Sequence, residues 1–194
     1  MLESMLELDL DDIKPDVLRR LNRREYNELA RLGVFDDENI ELLRGMLVKM
    51  SPQGTPHMRM VVWLNRRLIK GLDDSWEVRP GLSFAASDDS EPEPDLMVTS
   101  DSSKLDDAPS TAFLLIEVSN SSLRKDRKIK LPIYAEAGVP EYWIVDVSKQ
   151  GRVVVEVYTE PTATGYAQMV TLRDGDVLRP LNVPIEIAVS DLPR

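Results

Sequence analysis

Residues 112–118 read Ala-Phe-Leu-Leu-Ile-Glu-Val. A strand with one wet face alternates apolar and polar residues, whereas a run this apolar is covered on both faces. The fold must therefore stack layers on either side of a central sheet. Further short apolar runs at 76–79, 82–86, 96–99, 142–147 and 153–158, set off by turn-forming residues, are predicted strands. Asn22 and Glu25 have the spacing of a capping box and Gly33 suits a helix end, which predicts a helix over 23–32. Val61, Leu64, Leu68 and Leu72 recur at helical spacing and predict a second helix of about four turns. A third, basic helix is predicted over 124–137, where Pro132 must either kink it or open its second part. Residues 40–43 and 46–50 flank Arg44-Gly45, the pattern of a hairpin with glycine at positive φ. Pro161, Pro180 and Pro184 restrict pairing near the C-terminus, so edge strands and loops are expected there. Helices interleaved with strands give an α/β fold around a mixed sheet.

Composition narrows the chemistry. The 194 residues contain no cysteine and one histidine, which excludes thiolate sites, disulfide frameworks and poly-His zinc sites. Any Ser-His-Asp mechanism would have to run through His57. The net charge of −10 is local: residues 1–16 hold −5 and residues 87–107 hold −7, which leaves +2 for the rest. An anionic substrate such as nucleic acid therefore stays open. A chain of this length can bury about 70% of its unfolded surface. The expected organisation is an acidic, flexible leader over 1–16 and one domain over 17–194. The N-terminus lacks the basic and apolar regions of a signal peptide, and no stretch approaches the roughly 20 apolar residues of a membrane span. A soluble, cytoplasmic protein is expected.

Glu117 is the strongest anomaly, because a carboxylate inside a doubly covered strand costs several kcal/mol unless it is paired, hydrogen-bonded or bound to a metal. A salt bridge or a frayed strand end is the plain alternative. Asp95 stands at the mouth of the 96–99 strand, where Pro92 and Pro94 stiffen the approach. On its own it would be an ordinary turn residue. Together the two acids can hold one hard cation between neighbouring strands, and oxygen ligands without cysteine point to Mg²⁺ or Mn²⁺. Arg124, Lys125, Arg127, Lys128 and Lys130 place five cations in seven residues. They read either as a solvated helix face or as phosphate contacts, with one lysine turned inward to orient or activate water. Such parts suit phosphodiester hydrolysis.

At these residues the sequence resembles a known family. Pro94-Asp95, Glu117 within Leu114-Leu115-Ile116-Glu117-Val118-Ser119, Lys130 with Tyr134, and Gly138-Val139-Pro140-Glu141-Tyr142-Trp143-Ile144-Val145-Asp146 look like the Uma-two group of restriction-endonuclease-like proteins, in the PD-(D/E)XK nuclease superfamily. The likeness extends upstream to Glu41-Leu42-Leu43-Arg44-Gly45 and to Ser51-Pro52-Gln53-Gly54 followed by His57. It implies an α/β/α sandwich around a central mixed sheet. It also implies Asp95 and Glu117 as metal ligands, Lys130 as the catalytic lysine and Glu41 as an auxiliary acid. The superfamily places a lysine two residues after the glutamate, where this chain has Ser119, so Lys130 must reach the site from the following helix. The family tends to have aspartate where Arg44 stands. His57 and Tyr134 are accessory candidates; Trp63, Trp76 and Trp143 read as core.

The reading is a metal-dependent nuclease acting on DNA, with Arg124, Lys125, Arg127 and Lys128 on the nucleic acid. Cutting two strands would favour a homodimer. The rivals are a phosphodiesterase for RNA or a small nucleotide, and a nuclease fold without turnover that serves as a binding module. No base-reading element is evident, so no target sequence is expected from the chain.

Overall fold

The computed structural model describes residues 18–50, 52–100, 108–149 and 151–194. The acidic leader expected over 1–16 lies outside them, as do Ser51 and Gln150 of the two expected loops. Helix α1 (Arg23–Arg31) begins with both halves of the capping box: Glu25 N–H donates to Asn22 Oδ1 at 2.9 Å and Asn22 N–H to Glu25 Oε2 at 3.1 Å. Two amides that the helix cannot pair are thereby satisfied. The Tyr26 hydroxyl then ties α1 to the next element by donating to the Ile40 carbonyl at 2.7 Å.

Strands β1 (Ile40–Leu43) and β2 (Met46–Lys49) form the expected hairpin. Arg44 (φ 53°) and Gly45 (φ 75°) are both left-handed, the geometry of a type I′ turn. Arginine is an unfavourable choice there, and its side chain offsets the strain by a two-pronged ion pair with Glu136, each arm 2.6 Å.

Helix α2 (Thr55–Gly71) buries Met60, Leu64 and Leu68 and leaves Met58, Val62 and Ile69 exposed. Strands β3 (Glu77–Pro80), β4 (Leu96–Thr99), β5 (Leu114–Ser119), β6 (Glu141–Lys149), β7 (Arg152–Thr162) and β8 (Gly165–Leu172) make one sheet in that spatial order. Only β5 and β6 run parallel within it. Parallel neighbours need a crossover, which the helical segment between them supplies. A separate pair, β9 (Val177–Leu178) and β10 (Ile187–Ala188), and a 3₁₀ turn at Val189–Asp191 close the chain.

All of β4 and β5 is buried, as an unalternating run requires. The period of two sends Leu96, Val98, Leu114, Ile116 and Val118 toward α2 and the C-terminal segment. It sends Met97 and Leu115 to the other face, to pack with Ile133, Tyr134, Tyr142 and Ile144. The result is a helix layer on each face of a mixed sheet.

Two expectations need correction. Residues 82–86 form no strand: Phe84 N–H bonds the Pro92 carbonyl and Ala85 N–H the Pro109 carbonyl. Neither proline can return an N–H, so no ladder propagates. The helix expected over 124–137 is α3 (Leu123–Lys125), a π turn (Asp126–Lys130) and α4 (Leu131–Glu136). Pro132 sits in the first turn of α4, where its missing N–H does least harm, and the wide turn before it makes room for its ring.

Candidate active site

Strand register brings the two acids together. Leu96 faces Ile116 across β4 and β5, and one more step sets Asp95 opposite Glu117 on the same face. Both line one cleft with His57, Lys125, Asp126 and Lys130. The Val118 N–H donates to Asp95 Oδ2 at 2.7 Å, so β5 itself fixes the Asp95 carboxylate. His57, in the first turn of α2, holds the other oxygen through Nε2 at 2.9 Å.

Lys130 is 2% exposed, and its ammonium is shared by two carboxylates: Glu117 Oε1 at 2.8 Å and Glu41 Oε2 at 2.9 Å. The Glu93 carbonyl accepts its third bond at 3.2 Å. Tyr134, four residues on and therefore on the same helical face, donates to Glu117 Oε1 at 2.8 Å. Glu41, fully buried on β1, also takes Lys125 Nζ at 2.7 Å on its other oxygen. The hairpin thus delivers the acid that holds both lysines.

The charges set the protonation. Burial pushes the Glu117 carboxyl well above the ordinary range, with Asp126, Asp95 and Glu41 adding to it and Lys130 opposing. Burial also works against a charged Lys130, yet Glu117 and Glu41 hold it firmly as the ammonium. At Glu41 the desolvation is outweighed by Lys130 and Lys125, and its carboxyl titrates below the usual value. Burial keeps the Tyr134 hydroxyl protonated as a donor to Glu117. Five acids (Glu41, Glu93, Asp95, Glu117, Asp126) thus crowd two lysines.

Several polar atoms of cleft residues lack partners. His57 Nδ1 and Asp126 Oδ1 are buried and unbonded, and Glu117 Oε2 accepts nothing among the described residues. Excess negative charge and unpartnered oxygens fit a hard divalent cation. No three His, Cys, Asp or Glu side chains among the described residues converge on one point. Two carboxylates such as Asp95 and Glu117 could still hold Mg²⁺, which is ordinarily bound by one or two carboxylates and completes its sphere with water and substrate phosphate.

The basic run divides. Arg127 is spent on a two-pronged pair with Glu156, and Lys125 turns inward to Glu41. Arg124 and Lys128 are exposed and have no ion-pair partner among the described residues. Sequence reasoning passed over Asp126. This residue is 1% exposed and pushed up by burial, while hydrogen bonds from Ser119 and Ser122 pull it back. A single acid inside a run of cations was the available signal. Ser119, in the position where the superfamily has its lysine, serves to hold this aspartate.

The fold and the cleft together define a class: a three-layered α/β/α sandwich with a buried carboxylate pair and lysine at the edge of antiparallel strands. The Uma2 family model, described as "Putative restriction endonuclease", matches residues 23–190, and the chain belongs to that family. Among solved structures, the crystal structure of a "putative nuclease belonging to DUF820" from Anabaena variabilis superposes with a TM-score of 0.61 at 15% identity. The match covers 80% of this chain and 89% of that one. No curated protein matches the sequence.

Proposed function

We propose that the chain is a nuclease that hydrolyses phosphodiester bonds in DNA with Mg²⁺ or Mn²⁺ held by Asp95 and Glu117. Family membership supports the reaction class. The observation that carries the reading is the buried Lys130 ammonium, 2.8 Å from Glu117 in the cleft that Asp95 also lines. When bound, the cation would polarise the phosphoryl oxygen and acidify water. Lys130 offsets charge that develops on the phosphate, an effect confined largely to the transition state, and reaches the attacking water by exchanging its longest bond, the 3.2 Å one to the Glu93 carbonyl. Glu41 and Lys125 position Lys130, Tyr134 orients Glu117, and His57 orients Asp95. On this reading the protein acts in the cytoplasm, and cleavage of both strands would favour a homodimer. No helix among the described residues is long and apolar enough to cross a membrane.

A second reading, a nuclease fold that binds without turnover, has one observation in its favour: both Asp95 oxygens already accept hydrogen bonds. Supercoiled plasmid incubated with Mg²⁺, Mn²⁺ or EDTA decides between them. Metal-dependent nicking by the wild type, lost in Glu117→Gln, is expected. Binding of an oligonucleotide with no nicking in any metal would give the binding module.

A further inference from the structure

A second concavity opens beside the cleft. It encloses about 380 Å³ between the first turn of α2 and the β6–β7 connection, and Arg59, Lys149, Arg152 and Arg194 line it with no Asp or Glu side chain among them. This is unusual in a chain of net charge −10. Several arginines elsewhere are neutralised: Arg44 by Glu136, Arg127 by Glu156, Arg179 by Glu186. Lys149 and Arg152 are exposed and have no ion-pair partner among the described residues. Arg59 donates Nη1 to a main-chain oxygen of Arg194 at 2.9 Å and the Arg194 side chain pairs with Asp174, so the uncompensated charge of the concavity is that of Lys149 and Arg152. The start of the 17-residue α2 adds the partial positive charge of amides that no side chain caps.

The concavity adjoins the candidate active site. Asn120 lines both. A Cβ placed on Gly54 would stand 3.2 Å from the Asn120 amide, so the absence of a side chain at residue 54 keeps the saddle between them low.

The geometry points to a phosphate track: a DNA strand whose scissile phosphate lies at Asp95, Glu117 and Lys130 crosses the Gly54–Asn120 saddle and sets neighbouring phosphates against Lys149 and Arg152. This assignment rests on the nuclease reading and moves the main backbone contacts away from the 124–128 run, two of whose cations are consumed by Glu41 and Glu156. It also resolves how an acidic chain takes a polyanion, since association follows local potential and not net charge.

Fluorescence anisotropy with a short labelled DNA duplex in EDTA isolates binding from turnover. Lys149→Ala/Arg152→Ala removes two exposed charges, and an unchanged thermal midpoint shows that the fold is intact. Affinity is expected to fall roughly tenfold at low salt, and the salt dependence to become shallower by roughly 1.8, about 0.9 for each lost phosphate contact. Arg124→Ala/Lys128→Ala should lose less. If the wild type binds duplex and nicks plasmid, yet Lys149→Ala/Arg152→Ala changes neither affinity nor salt slope, the track is overturned and the nuclease reading stands. A larger loss from Arg124→Ala/Lys128→Ala overturns it likewise. A wild type that binds no duplex in EDTA overturns the track, and one that also nicks no plasmid with Mg²⁺ or Mn²⁺ overturns both. Inorganic phosphate at matched ionic strength separates strand from free anion: if it raises the melting temperature through Lys149 and Arg152 while their loss leaves duplex affinity unchanged, the concavity is an anion site and not a track.

Discussion

Glu117 and Glu141 stand on the adjacent strands β5 and β6, both buried, and face opposite sides of the sheet. Glu141 Oε1 accepts the Trp143 indole N–H at 2.5 Å and Oε2 accepts the Leu181 amide at 2.6 Å. Each oxygen is closed by a neutral donor. Glu117 has both its donors on one oxygen, three other acids nearby, and an oxygen left over. Burial raises both carboxyls, but at Glu141 the two N–H donors are the only opposing influences, while at Glu117 like charges compound the rise. Glu141 is finished locally. Glu117 is crowded by its own kind and left incomplete, which is what its proposed ligand role would require.

The largest effect should come from removing the cation that separates the acids. Lys130→Met leaves Glu41 and Glu117 buried without it, and urea unfolding should show a loss of about 3–5 kcal/mol. Plasmid nicking should fall by roughly 10²–10³, while Mn²⁺ binding survives. A variant that nicks at the wild-type rate would remove Lys130 from the chemistry.

Next is the structural acid. Glu141→Gln turns an acceptor into an NH₂ against one of two N–H donors and should destabilise by about 1–3 kcal/mol. Its Mn²⁺ isotherm should superimpose on the wild type. Any weakening of metal binding there would erase the contrast between the two faces.

Glu117→Gln should behave in reverse. The apo protein should be as stable as the wild type or more so, because Lys130 keeps Glu41 and a strained anion is gone. Calorimetry should show Mn²⁺ affinity reduced about tenfold, or about 1.4 kcal/mol. Undiminished affinity in a destabilised fold would make Glu117 a salt-bridge residue and nothing more.

The subtlest difference is in pH. Glu117 and Glu141 titrate above the ordinary 4.5, so each contributes stability that is present below 4.5 and lost as pH rises through its folded value. Glu41 titrates below 4.5 and has the opposite sign: its contribution is present above 4.5 and lost as pH falls through its folded value. Unfolding midpoints from about pH 5 to 8 should decline in the wild type, and Glu117→Gln should flatten that decline more than Glu141→Gln does. Equal flattening would mean that the crowding around Glu117 has no energetic weight.

What could be read from the sequence was whatever local pattern determines. The capping box at Asn22, the Arg44-Gly45 turn and the apolar runs of β4 and β5 each report on their own neighbourhood, and the last two located the strand that follows Asp95 and the strand that carries Glu117. Pairing across the chain left no such trace. Lys125 and Arg127 look alike in sequence, yet one meets Glu41, 84 residues away, and the other Glu156. Residues 82–86 had a strand's composition but met proline carbonyls in place of a ladder. Asp126 was hidden by its basic neighbours, and the Gly54–Asn120 saddle exists only in three dimensions.

The π turn at Asp126–Lys130 gives the site a dependence on chain length as well as on residue type. Deleting one residue from 127–129 would tighten the wide turn to an α-helical one and shift the ammonium of Lys130 relative to its two carboxylates. Every amino acid assigned to the cleft would still be encoded. Among relatives, a one-residue gap in this segment should therefore accompany a lysine relocated elsewhere, and an insertion-deletion pair that restores the count should restore the site.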